Sequence, residues 1–134
     1  MNIVIETPKY SFVKYAKKGR KYVKAMTSPF PTLFNYGFIK GTFGKDGMPE
    51  DCIVLGRKLA QGQEIELNPV GVVNFTDDRK EDDKRIFAQD NRVTSFDKIK
   101  IHSFFTAYAT YKTIRYKLEG NNPTECKYEG FRLF

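Results

Sequence analysis

Pro69-Val70-Gly71-Val72-Val73-Asn74-Phe75-Thr76-Asp77-Asp78-Arg79-Lys80-Glu81-Asp82-Asp83-Lys84-Arg85-Ile86-Phe87-Ala88 holds two β-rich runs around a charged turn. The β-branched stretch Val70 to Phe75 and the shorter Arg85 to Ala88 read as strands, with the turn over Asp77 to Asp83. A hairpin there would set Asp77 and Asp82 near each other across the turn.

The same rhythm extends outward. Short β-rich runs occur at Asn2 to Glu6, Ser11 to Tyr15, Lys21 to Met26, Gly37 to Thr42, Asp51 to Leu55 and Glu64 to Leu67, with a last one at Cys126 to Phe131. Turn chemistry at Lys18-Gly19, Pro29 to Pro31, Gly44 to Pro49 and Gln61-Gly62 separates them. One segment differs. From Ser95 to Leu118 the apolar positions Ile101, Phe104, Phe105, Tyr108, Tyr111, Ile114 and Leu118 recur every three or four residues, which predicts an amphipathic helix. Ser95, followed by Asp97, is read as its start, and Gly120 with Pro123 as its stop. The expected class is α+β, mostly β: a small closed OB-like β-barrel with one main C-terminal amphipathic helix, residues 1–134 forming a single domain.

Composition bounds the function classes. With 134 residues, 40% hydrophobic and 15% aromatic, the chain has material for a buried core, which excludes a disordered chain. No apolar stretch is long enough to span a membrane and no charged-then-apolar leader opens the chain, so no membrane partner and a cytoplasmic location are expected. Cys52 and Cys126 lack further Cys or His at zinc-ligand spacing and read as reduced structural thiols. The net charge of +7 favours an anionic partner, and its distribution is uneven. Lys9, Lys14, Lys17, Lys18, Arg20, Lys21 and Lys24 crowd the first segment, whereas the acids fall in two central clusters.

The first acidic cluster, Asp46-Gly47-Met48-Pro49-Glu50-Asp51, contains a Gly and a Pro that tighten the turn and can aim Asp46 and Asp51 at one point. If this turn neighbours the Asp77 to Asp83 turn, four acids converge. Close carboxylates repel unless a cation sits among them, and oxygen-only ligands suit Mg²⁺, Mn²⁺ or Ca²⁺. The pattern equally describes two solvated turns, and on pattern alone both readings stand.

Specific motifs add a resemblance. Ile5-Glu6-Thr7-Pro8 with Lys14-Tyr15, then Asn35-Tyr36-Gly37-Phe38-Ile39, the Asp46 to Asp51 loop, Pro69-Val70-Gly71-Val72, Asp77-x4-Asp82-x-Lys84, Ile101-His102-Ser103-Phe104-Phe105 with Tyr108, and Tyr128-Glu129-Gly130-Phe131 follow one another in this order. The series resembles the soluble (family I) inorganic pyrophosphatases, of which the chain looks like a short and divergent member.

The resemblance implies Mg²⁺-dependent hydrolysis of inorganic pyrophosphate by metal-activated water, with Mn²⁺ as an alternative ion. It implies metal-holding roles for Asp46, Asp51, Asp82, Asp77 and Glu6, and phosphate-stabilising roles for Lys14, Lys24, Lys84, Tyr36 and Tyr108. It leaves room for a homo-oligomer, although material that supports subunit packing in the family is shortened here. Several positions depart from the family pattern. Met48 replaces the aspartate that accepts the nucleophile's proton, Ala16 an acid, Lys24 an arginine, Thr32 a tyrosine and Ala109 a lysine. Glu50 is the candidate substitute base. The alternatives are a non-catalytic relative binding a phosphate-bearing ligand or a protein, a phosphohydrolase of another diphosphate, and, least favoured, a barrel binding single-stranded nucleic acid.

Overall fold

The computed structural model describes residues 1–44, 47–120 and 126–134. In chain order its strands are β1 (Asn2–Thr7), β2 (Val13–Lys18), β3 (Lys21–Thr27), β4 (Asn35–Ile39), β5 (Asp51–Leu55), β6 (Glu64–Glu66), β7 (Pro69–Asp77), β8 (Lys80–Glu81), β9 (Lys84–Ala88) and β10 (Cys126–Leu133). Helix α1 (Ser95–Leu118) lies between β9 and β10. The main sheet runs β10-β7-β9-β5-β4-β1-β6 with β8 on β7, and β2 and β3 form a separate hairpin. Among the described residues only β5 and β9 pair in parallel.

The fold is the expected mostly-β one with a single C-terminal helix, but no ladder joins the two ends of the sheet among the described residues. Three-residue β6 pairs only with β1, and β10 only with β7, so the expected hydrogen-bonded closure is absent. Two strand boundaries also move for local reasons. Ser11 turns back on itself, its Oγ donating to the Val13 carbonyl at 2.7 Å, and β2 starts after it. Thr42 Oγ1 donates to the Ile39 carbonyl at 2.7 Å and accepts from the Glu50 amide at 3.1 Å, which ends β4 in a turn.

Alternation sorts the side chains of the central strands into two cores. Ile53 and Leu55 of β5, Val73 and Phe75 of β7, and Ile86 and Ala88 of β9 join the helix-side core. Cys52 and Val54 of β5 and Phe87 of β9 join Ile3, Ile5, Ile39 and Leu59 on the other side. With both faces covered, these strands read as near-continuous apolar runs. Along the same parity, Asp51, Asp77 and Lys84 sit at strand ends on the helix side.

Helix α1 spans the expected residues Ser95–Leu118, and its cap lies one residue before them. Thr94 is the N-cap, its hydroxyl accepting from the Asp97 amide at 3.0 Å while the Asp97 carboxylate accepts from the Thr94 amide at 2.9 Å, a closed capping box. Gly120 follows its C-cap with φ 76°, a value that favours glycine. The buried stripe is shorter than the periodicity suggested. Ile101, Phe104, Phe105, Tyr108 and Ala109 are buried, whereas Ile114 and Leu118 are exposed. Phe105 stacks on Phe34 and Tyr128 at centroid distances of 5.7 and 6.1 Å, pinning the helix to the segment that leads into β4 and to β10.

Gly37 of β4 marks a close approach: a Cβ there would stand 2.1 Å from the carbonyl oxygen of Val4 in β1. That neighbour is backbone and cannot rotate away. Gly37→Ala is therefore expected to destabilise the chain by about 1–3 kcal/mol or more, as overpacking does. The check is urea denaturation, in which the midpoint falls while the slope stays constant; an unchanged midpoint would contradict this register.

Candidate active site

The turn between β7 and β8 brings the second acidic cluster round. Asp78 and Arg79 both take positive φ, 51° and 65°, the conformation a two-residue hairpin turn requires. Asp82 then returns alongside Phe75, its amide donating to the Phe75 carbonyl at 2.9 Å. From β9, Lys84 turns its fully buried side chain toward Asp82, donating to its carboxylate and to its backbone carbonyl, both at 2.9 Å. The ammonium also lies 5.0 Å from the centroid of Phe75.

Asp51, at the start of β5, meets Asp82 here. The two acidic turns are thus neighbours. Burial lifts the Asp51 carboxyl above its ordinary range, and Asp82 adds to this through its charge and a shared hydrogen bond; Lys84 and Lys14 pull the other way. Asp51, Asp77, Asp82, Lys14, Lys84 and Tyr108 all line one cavity of about 360 Å³. The Lys14 ammonium donates to the Tyr108 hydroxyl at 3.0 Å and lies 4.3 Å from the ring centroid of Tyr36. Burial alone would raise the Tyr108 hydroxyl, yet Lys14, Lys112 and Lys84 together hold it below the usual phenol range.

Tyr36 is buried, and among the described residues its hydroxyl oxygen has no hydrogen-bond partner. Burial, followed by Tyr108, Asp51 and Asp82, pushes it well above its usual range, so the hydroxyl lies within the field of the two carboxylates. An unpaired buried hydroxyl beside two carboxylates is a polar set short of a partner.

Other expected residues stand elsewhere. Asp46 lies outside the described residues. Glu6 on β1 accepts from the Lys17 amide at 2.7 Å; burial raises its carboxyl and Asp51 adds to that, so it borders the site without lining the cavity. Lys24 is exposed on β3, while its near neighbour Met26 lines the cavity. Glu50 precedes Asp51 by one residue, which turns it to the opposite face. Its Oε2 lies 3.1 Å from Arg85 Nε, and the pair lines an adjacent cavity. Asp51 and Asp82 line that cavity too, so Glu50 stands near the two acids but apart from Lys14, Lys84 and Tyr108. Met48 is 60% exposed and lines neither cavity.

Asp77 reaches the cavity already paired. Burial would raise its carboxyl, but contacts from Lys112, the Cys126 thiol and the Tyr116 hydroxyl lower it overall. Lys112 and Tyr116 were not among the expected site residues. Their signal was helical spacing: positions 108, 112 and 116 fall four apart, on one face of α1. Among the described residues no three His, Cys, Asp or Glu side chains already close around an ion position. The oxygen donors of Asp51 and Asp82, with the orphaned Tyr36 hydroxyl beside them, nevertheless suit a hard divalent cation.

Comparison with known proteins agrees with this geometry. The chain is 36% identical over 117 residues to an inorganic pyrophosphatase of Aeropyrum pernix, covering 81% of this chain and 60% of that one. It is 34% identical over 110 residues to an inorganic pyrophosphatase of Sulfolobus acidocaldarius, covering 75% and 61%. It therefore spans about three fifths of the length of these curated relatives. The solved inorganic pyrophosphatase of Helicobacter pylori superposes with a TM-score of 0.79 at 27% identity, over 99% of this chain and 84% of that one. The family model for inorganic pyrophosphatase matches residues 3–126, nearly the whole of the sheet and all of α1, and on that match the chain belongs to the inorganic pyrophosphatase family.

Proposed function

We propose that this chain hydrolyses inorganic pyrophosphate to two phosphates with the help of Mg²⁺, Mn²⁺ being an alternative ion. The observation that carries the proposal is the meeting of Asp51 and Asp82 in a cavity that also presents Lys14, Lys84 and Tyr108. Asp51 and Asp82 would hold the ions, with Glu6 as a further ligand from the border of the site and Asp46 as another. Divalent ions there would neutralise diphosphate charge, polarise a phosphoryl oxygen and ease ionisation of the attacking water.

The chain's own residues supply the rest. Lys84 donates to the Asp82 carboxylate and holds it at the cavity. Lys14 and Tyr108 form a fixed donor pair at its mouth, suited to oxygens that gain charge as the P–O–P bridge breaks. Tyr36 has a hydroxyl free to donate to a phosphoryl oxygen. Lys24, on the exposed hairpin, would reach the ligand only from outside. Glu50, tied to Arg85, is poorly placed to replace the base missing at Met48, so turnover would be slow. The two buried free thiols suit a reducing compartment, and we place the protein in the cytoplasm. No described helix is long and apolar enough to cross a membrane.

A second reading, binding of a phosphate-bearing ligand without turnover, is favoured by Met48 and Ala109, which remove an acid and a cation from the family pattern. Phosphate release from pyrophosphate separates the two. It is expected with Mg²⁺, absent with chelator, and lowered at least about 10²-fold in Asp51→Asn; equal release from both chains would refute the site. In metal-free buffer at neutral pH the same Asp51→Asn change is expected to raise the thermal midpoint. The folded-state pKa of Asp51 lies above its unfolded value, so ionisation opposes folding at neutral pH and ceases to do so as pH falls below both values. The gain should accordingly vanish in acid. Met48→Asp should increase turnover by about 10²-fold, the lower range for a restored general base; no increase would mean that the position no longer faces the nucleophile.

A further inference from the structure

Asp77 and the Asp51–Asp82 pair meet the same cavity in different electrostatic states. Both oxygens of Asp77 are taken from within the chain: Oδ2 by the Lys112 ammonium, and Oδ1 by the Tyr116 hydroxyl and the Cys126 thiol, each at 3.1 Å. Lys112 Nζ also lies 5.5 Å from the ring centroid of Tyr108 and 5.6 Å from that of Tyr116. Its side chain is 14% exposed. The ammonium is therefore enclosed by a carboxylate and two aromatic faces, an arrangement that fixes a small cation. Asp51 and Asp82 by contrast face each other, with Lys84 donating to Asp82.

We infer that Lys112 is a built-in cation that fills the place a divalent ion would take at Asp77, so that added ions gather on the Asp51–Asp82 side of the cavity. The inference rests on reading this cavity as a metal and diphosphate site. A divalent ion entering at Asp77 would displace an ammonium from its partly buried partner and leave two cations side by side. The ammonium supplies a single positive charge that does not dissociate, and it stands where α1 holds it, one helical turn beyond Tyr108. Charge within the cavity supports this. The aspartates Asp51, Asp77 and Asp82 are matched by Lys14, Lys84 and Lys112, so an anionic ligand needs additional cations chiefly where two acids are in contact.

The test counts bound ions without pyrophosphate. Mn²⁺ is titrated into the natural chain, Asp77→Asn, Lys112→Met and the double variant, and free Mn²⁺ is read by electron paramagnetic resonance, with circular dichroism to verify folding. Asp77→Asn is expected to bind as many ions as the natural chain, Lys112→Met to gain a further ion, and the double variant to lose that gain. Loss of an ion in Asp77→Asn, or no gain in a folded Lys112→Met, overturns the inference. If Lys112→Met fails to fold, the Asp77→Asn count decides alone. A chain that binds ions in the expected pattern yet releases no phosphate would refute the catalytic reading and uphold this one; a natural chain that binds no Mn²⁺ overturns both.

Discussion

The buried ammonium of Lys84 is the interaction around which the site is organised. A charge that is only 2% exposed must be paired, and its partners are the carboxylate and carbonyl of Asp82. Because β9 lies between β5 and β7, a lysine at its first position touches the acidic turns on both sides. Lys84 thereby draws Asp82 in, partly offsets the charge of Asp51, and helps to lower the Tyr108 hydroxyl across the cavity. Without that cation the two carboxylates would repel each other with only Lys14 nearby to oppose it.

The rest of the fold serves to hold this arrangement in place. Asn35, fully buried at the start of β4, accepts from the Lys9 and Leu59 amides and donates to the Val54 and Arg57 carbonyls, so one side chain ties two loops to the central strands. Phe104 and Phe105 of α1 wedge among Phe34, Tyr36, Phe75 and Tyr128. This packing carries Tyr108 to the mouth of the cavity, and the Tyr111 hydroxyl links the helix to the β2–β3 hairpin through the Thr27 carbonyl at 3.1 Å. Rigid packing of this kind positions catalytic groups more narrowly than loops do.

The departures from the family pattern have different structural meanings. Thr32 is buried and donates to the Pro8 carbonyl at 3.2 Å, so its hydroxyl has a structural partner. Ala109 is buried against the core, and the cation nearby on the helix comes instead from Lys112. Ala16 lies in β2 opposite Val23, and nothing in the structure explains its replacing an acid. Met48 is the change with a direct chemical consequence, since a thioether accepts no proton at neutral pH.

The helix limits, the central strands and the existence of two acidic turns were legible from sequence, because periodicity and turn residues are local. Asp51, Asp82, Lys84, Lys14 and Tyr108 were identified through ordered motifs, and strand parity explains why Asp51 and Lys84 share a face. The expected strand Asp51 to Leu55 is the observed β5, and what the structure added is the pairing of the preceding Glu50 with Arg85. What required the tertiary structure was pairing across distance. Asp77 and Lys112 are 35 residues apart, and no local pattern tells an aspartate awaiting a metal from one already bound to an ammonium. Closure of the sheet was equally beyond local reading, since it depends on whether the two edge strands meet. Sequence by itself determined which residues alternate, turn and cap, because those depend on neighbours along the chain; only the packed structure decided which charges neutralise one another, because that depends on distance in space.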